Sequence, residues 1–113
     1  MVESNQDFDR KLAELRLRFS EGLAARLQEM ETAFAGLAGN GAADGRLASL
    51  KALRAVAHKL TGTAGTFGFD AIGKAAAEIE TQCDDLIAAG KLPADDELQA
   101  LERRLDMLRK GSA

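Results

Sequence analysis

Residues 47–73 read LASLKALRAVAHKLTGTAGTFGFDAIG, and their spacing decides the fold. Leu47, Leu50, Leu53, Ala57, Leu60 and Ala64 recur in three- and four-residue steps, the period of an amphipathic helix. The run Gly65-Thr66-Phe67-Gly68-Phe69 then predicts the end of that helix and a tight reversal. Beyond it, Ile72, Ala76, Ile79, Cys83 and Leu86 or Ile87 repeat the period and predict a third helix, stopped by Gly90 as a left-handed C-terminal cap. Helices joined by so short a turn pack side by side and antiparallel.

Upstream, Phe8, Leu12, Leu15, Phe19, Leu23, Leu27, Met30, Phe34 and Leu37 advance by a mean step of about 3.6, which predicts one inward-facing helix or two. Ser20-Glu21-Gly22 would be the break, giving a short extra N-terminal helix, since Ser caps helices and Gly weakens their interiors. Gly39-Asn40-Gly41 and Asp44-Gly45 mark a loop, with Asp44 a cap for the helix that follows. Downstream, Pro93 opens a fourth helix. Asp95, Asp96 and Glu97 occupy its first turn, Leu98, Leu101, Leu105 and Leu108 form its inward stripe, and Arg109 and Lys110 lie near its end. The expected architecture is an all-α, up-down-up-down four-helix bundle, with residues 1–113 as a single domain.

Composition agrees. The 113 residues include 22 Ala and 16 Leu but only 10 Val, Ile and Thr together, and neither Trp nor Tyr, which argues against a β-sandwich or barrel. A net charge of −3 is the wrong sign for a typical nucleic-acid binder. No apolar run reaches membrane-spanning length, the N-terminus lacks the pattern of a signal peptide, and the single cysteine excludes an internal disulfide. A cytoplasmic protein without nucleic-acid or membrane partners is expected.

Several chemistries fail on the residues present. Gly68-Phe69-Asp70-Ala71-Ile72-Gly73-Lys74-Ala75 comes within one residue of a phosphate-binding P-loop. Ala75, however, has no hydroxyl for Mg²⁺, and a helix and turn precede the stretch where a strand is required. One His and one Cys do not make a tetrahedral zinc site, and no metal is expected. Cys83 falls in an apolar stripe, where a thiol is inert core. Asp84-Asp85 and Asp95-Asp96 read as solvent-facing or dipole-complementing acids, and Glu78 as solvated background.

His58, the only histidine, falls roughly 130° from the inward direction of its helix and is expected to face solvent. On the same strip lie Lys51, Arg54 and Ala55 before it and Thr61, Gly62 and Gly65 after it. Each exposed helical glycine costs up to about 1 kcal/mol against alanine, so their presence suggests a surface that something approaches closely.

Residues 57–69, Ala-His-Lys-Leu-Thr-Gly-Thr-Ala-Gly-Thr-Phe-Gly-Phe, resemble the signature of histidine-containing phosphotransfer (HPt) domains. The Gly-Thr-Phe-Gly-Phe portion is also similar to the phosphoacceptor domain of chemotaxis histidine kinases. The likeness extends through Glu78-Ile79-Glu80, and the four-helix layout covers nearly the whole chain. It implies that His58 exchanges a phosphoryl group with aspartates on response-regulator receiver domains, a hybrid histidine kinase being a further partner. This would be a relay intermediate with no kinase activity of its own, acting as a monomer.

The residue chemistry is compatible. An exposed imidazole is mostly neutral at pH 7, and an acceptor on one ring nitrogen would fix the tautomer that leaves the other free. Glu80 is the expected acceptor. It lies eleven residues beyond position 69, as His58 lies eleven before it, so the two should be level across the hairpin. It also falls about 80° from its helix's inward direction, at the seam with a neighbour. The resemblance places a Gln or Glu at this distance as well.

The chain departs from many relatives in carrying Thr61 where they have a lysine. Arg54, Lys51 and Lys59 are the expected phosphate-neighbouring cations, with Thr61 beside them, and Ala55, Gly62 and Gly65 the expected docking surface. No cofactor is expected on this chain, Mg²⁺ being supplied by the receiver. The alternatives are a non-catalytic adaptor bundle that binds a receiver or partner helix, and the excised phosphoacceptor domain of a larger kinase.

Overall fold

The computed structural model describes the backbone of residues 2–112 and the side chains of residues 5–111. Four helices follow one another: α1 (Val2–Ala38), α2 (Ala43–Thr66), α3 (Asp70–Ala89) and α4 (Asp95–Ser112). α2 packs between α1 and α3, and α4 closes the ring against α3 and α1, which is the up-down-up-down bundle.

Each predicted stripe from α2 onwards enters one core. Leu50, Leu53, Ala57, Leu60 and Ala64 of α2 meet Ile72, Ala76, Ile79, Cys83 and Leu86 of α3 and Leu101, Leu105 and Leu108 of α4, all buried. From α1 come Leu23, Leu27, Met30, Ala33 and Leu37. Leu47, Phe34, Ile87 and Leu98 sit half-buried at its margins. At about 1.5–3 kcal/mol for each fully buried large apolar side chain, this cluster is the main stabilising term.

α1 is a single helix, and the extra N-terminal helix does not form. Gly22 is open to solvent, while Phe19 and Leu23 on either side of it anchor to the bundle, so the packing outweighs the weak point. The first part of its stripe is a correction of another kind. α1 has 37 residues where its neighbours have 24, 20 and 18, and its N-terminal end projects past the bundle. Phe8 is therefore 65% exposed and Leu15 45%, with Leu12 only half-covered. Burial begins where the Phe19 ring meets Phe67 and Phe69 of the α2–α3 turn, at centroid distances of 5.7 and 4.8 Å.

That turn sets the register of the functional face. Gly68, at φ +81°, takes the left-handed conformation. Its N–H reaches the Gly65 carbonyl at 3.3 Å while the Phe69 N–H reaches that of Ala64 at 2.9 Å, the paired bonds of a Schellman ending. Gly90 ends α3 the same way, as its position predicted, with φ +66° and bonds from Gly90 and Lys91 to Ile87 and Leu86.

Two cap expectations change. The residue preceding α2 is Ala42, and Asp44 lies inside the first turn without a capping bond. Pro93 is buried two residues ahead of α4, and the cap belongs to Glu97, which accepts the Ala94 N–H at 3.0 Å.

Candidate functional site

The α2–α3 hairpin brings His58 and Glu80 level, as equal distances from position 69 require. His58 Nδ1 lies 2.6 Å from Glu80 Oε2. The imidazole side chain is 64% exposed and the carboxylate only 17%, so the acid is tucked into the seam and the ring stands over it. An ionised carboxylate only accepts, so in a neutral imidazole paired this way Nδ1 donates and Nε2 keeps its lone pair. One turn back on α2 and one turn on along α3, Arg54 and Asp84 form the next level of the same seam. Arg54 Nε donates to Asp84 Oδ1 at 2.8 Å, and its Nη2 lies 3.6 Å from Glu80 Oε2. The hydrogen bond to Asp84, then the charge of that carboxylate, raise the guanidinium pKa, with Glu80 adding a smaller contribution.

The predicted neighbours divide. Arg54 joins the site, but its guanidinium is directed to the α3 carboxylates. Thr61 is half-buried, and its hydroxyl donates to the Ala57 carbonyl of its own helix at 2.8 Å. Lys59 lines a cleft of about 200 Å³ between α1 and α2 with Phe19 and Arg26, away from the Glu80 seam. Lys51 borders a groove with Asp44 and Lys91, two turns before His58. Lys51 and Lys59 thus each border a groove separate from the Arg54–Glu80 pair. Ala55, Gly62 and Gly65 are exposed, and a Cβ added at either glycine meets no atom within 4 Å. The strip beyond His58 is low and open.

Asp84 is the site residue that sequence reasoning missed. Its signal was available, because it lies fifteen residues after position 69 and Arg54 fifteen before. Glu78 is likewise not solvated background: it is half-buried and pairs with Arg104 of α4 at 3.5 Å. Beneath the site Cys83 is buried, and desolvation, aided by Asp84, pushes its thiol up to about 12. Among the described residues no three or more His, Cys, Asp and Glu side chains converge to hold a metal ion, and no helix is long and apolar enough to cross a membrane.

The site is thus an antiparallel helical bundle carrying one exposed histidine, held from the side by a carboxylate of the adjacent helix. The family model for the Hpt domain matches residues 14–111, and the chain belongs to that family. Hpt domains serve histidine phosphotransfer in phosphorelays and interact with receiver domains and histidine kinases. Neither the search of curated proteins nor that of solved structures returned a match.

Proposed function

We propose that His58 is the phosphoacceptor of this chain and that it exchanges its phosphoryl group with receiver-domain aspartates. The observation that carries the reading is the 2.6 Å contact between Nδ1 and the half-buried Glu80 carboxylate beneath a solvent-facing ring. In the forward direction Nε2 attacks the phosphorus of an aspartyl phosphate. The N–P bond forms, the O–P bond to the aspartate breaks, and the aspartate leaves as a carboxylate. Nδ1 keeps its proton throughout, and Glu80 offsets the positive charge that the ring acquires. The reverse transfer uses the same contacts.

The bundle supplies nucleophile, orientation and docking surface. Phosphoryl transfer depends chiefly on in-line positioning and charge neutralisation, and on this reading Mg²⁺ and the acidic cluster belong to the receiver. Ala55, Gly62 and Gly65 form the floor on which the receiver seats. Lys51 and Lys59 flank it as more distant cations. A cytoplasmic monomer, acting between a hybrid kinase and a receiver, fits the mildly acidic composition and the single cysteine.

Incubation with a phosphorylated receiver tests the proposal. Acid-labile, base-stable label is expected on the wild-type chain and none on His58→Ala. Absence of label on the wild-type chain would instead indicate an adaptor that binds without chemistry.

A further inference from the structure

Glu80 has three side-chain torsions and lies at a helix edge, so proximity alone does not hold its carboxylate against one ring nitrogen. What restrains it is the next level of the seam. Arg54 Nη2 stands 3.6 Å from the same Oε2 that meets His58, while Arg54 Nε is fixed by Asp84 Oδ1 at 2.8 Å. The guanidinium is planar and rigid, so a bond at Nε sets the direction in which Nη2 points. Given the reading of His58 as phosphoacceptor, we infer that Arg54 and Asp84 are positioning residues for it: Asp84 orients the Arg54 guanidinium, which holds the Glu80 carboxylate against Nδ1.

The role differs from that of a phosphate ligand. Two carboxylates already engage Arg54, and both approach from α3. Its Nε hydrogen bond goes to Asp84 and its Nη2 faces Glu80, so both contacts serve the α3 carboxylates. Its effect is instead exerted on the tautomer. Free histidine in water favours the proton on Nε2, the form in which that nitrogen is not nucleophilic. An ionised acceptor at Nδ1 reverses the preference, and a cation beside the acceptor holds it in place. Among the described residues His58 and Glu80 form no ion pair with any other side chain of α2 or α3; Lys51 and Lys59 border separate grooves.

The ring nitrogens provide the test. His58 is the only histidine, so ¹⁵N spectra of its imidazole report the tautomer directly. The variants are Glu80→Ala, Arg54→Met and Asp84→Ala. Their phosphorylation by phosphoramidate, a small donor that needs no docking surface, is measured alongside. The wild-type chain is expected to hold the proton on Nδ1. The shift towards Nε2–H should be largest in Glu80→Ala, smaller in Arg54→Met and smallest in Asp84→Ala, where Arg54 still reaches Glu80.

Phosphorylation of Arg54→Met should fall by about tenfold, the low end of what outer partners that orient a histidine contribute. Exchanging the charges, Arg54→Asp with Asp84→Arg, should restore the tautomer relative to Arg54→Asp alone. Ring-nitrogen shifts unchanged in Arg54→Met overturn the inference. Slower phosphorylation with unchanged shifts does so too, because it assigns Arg54 to the phosphoryl group itself. If the wild-type chain takes no phosphoryl group from any donor, the proposed function fails, while the tautomer still decides the positioning role.

Discussion

Replacing Gly62 with leucine should move stability and phosphotransfer in opposite directions. Gly62 lies one turn beyond His58, about 6 Å along the same face, and a Cβ there meets nothing within 4 Å, so the bundle accommodates the side chain without strain. Removing a glycine from an exposed helix interior contributes roughly 0.5–1 kcal/mol, a rise in Tm of about 2–4 °C for a chain of this size. The partner meets the opposite effect. On the proposed function a receiver's phosphoaspartate must come to about 3–3.5 Å from Nε2, and a leucine would raise the surface on which it seats. Overlap of that kind costs about 1–3 kcal/mol where the surroundings can partly yield, which corresponds to roughly 5- to 150-fold in kcat/KM. Thermal melts followed by circular dichroism, together with rapid-quench transfer from a phosphorylated receiver, measure both. Phosphoramidate, which needs no docking, should label His58 in the variant at an unchanged rate. A folded Gly62→Leu protein that exchanges phosphate with its receiver at the wild-type rate would refute the docking argument.

Three further expectations concern the core. Leu53 is fully buried, and Leu53→Ala should lower stability by about 2–5 kcal/mol, read from urea midpoints at unchanged m-value. Burial of Cys83 raises its thiol from 9.0 to about 12, so the unfolded chain loses this proton at lower pH than the folded one. Stability should therefore decline as pH rises from about 9 towards 12, more steeply than in Cys83→Ala. At pH 8 the folded protein should react with a disulfide reagent only as fast as it opens, and rapid labelling would contradict a buried thiol.

Most of the bundle was legible because helical periodicity is a local property. The stripes of α2, α3 and α4 each became a buried face, and Gly90 ended α3 as a left-handed residue must. The same reasoning failed at Phe8, Leu12 and Leu15. An apolar stripe shows which side a helix would bury but not whether its neighbours are long enough to cover it, and α2, α3 and α4 stop short of this end of α1. Ser20 and Gly22 misled for a related reason, since a local weak point breaks a helix only where packing on both sides allows it. The site was half-legible. His58 and Glu80 followed from helix phase and hairpin register, whereas Asp84 falls in sequence among the solvent-facing or dipole-complementing acids although the same register pairs it with Arg54.

What the sequence by itself determined was the inventory and the phase: four amphipathic helices, one histidine on an outward strip, small residues beside it, and a turn about which positions pair. These depend on spacing along a single chain segment. Tertiary structure alone decided which cation of α2 meets the acids of α3. The sequence offers Arg54, Lys51 and Lys59 as cations near His58, with Lys59 farther round the helix, but the carboxylates of α3 approach only Arg54. Arg54 lies on the seam facing Glu80 and Asp84, while Lys51 and Lys59 border other grooves. The distinction arises from the packing of one helix against another, because the strength of a charge–charge contact is set by distances that only that packing defines.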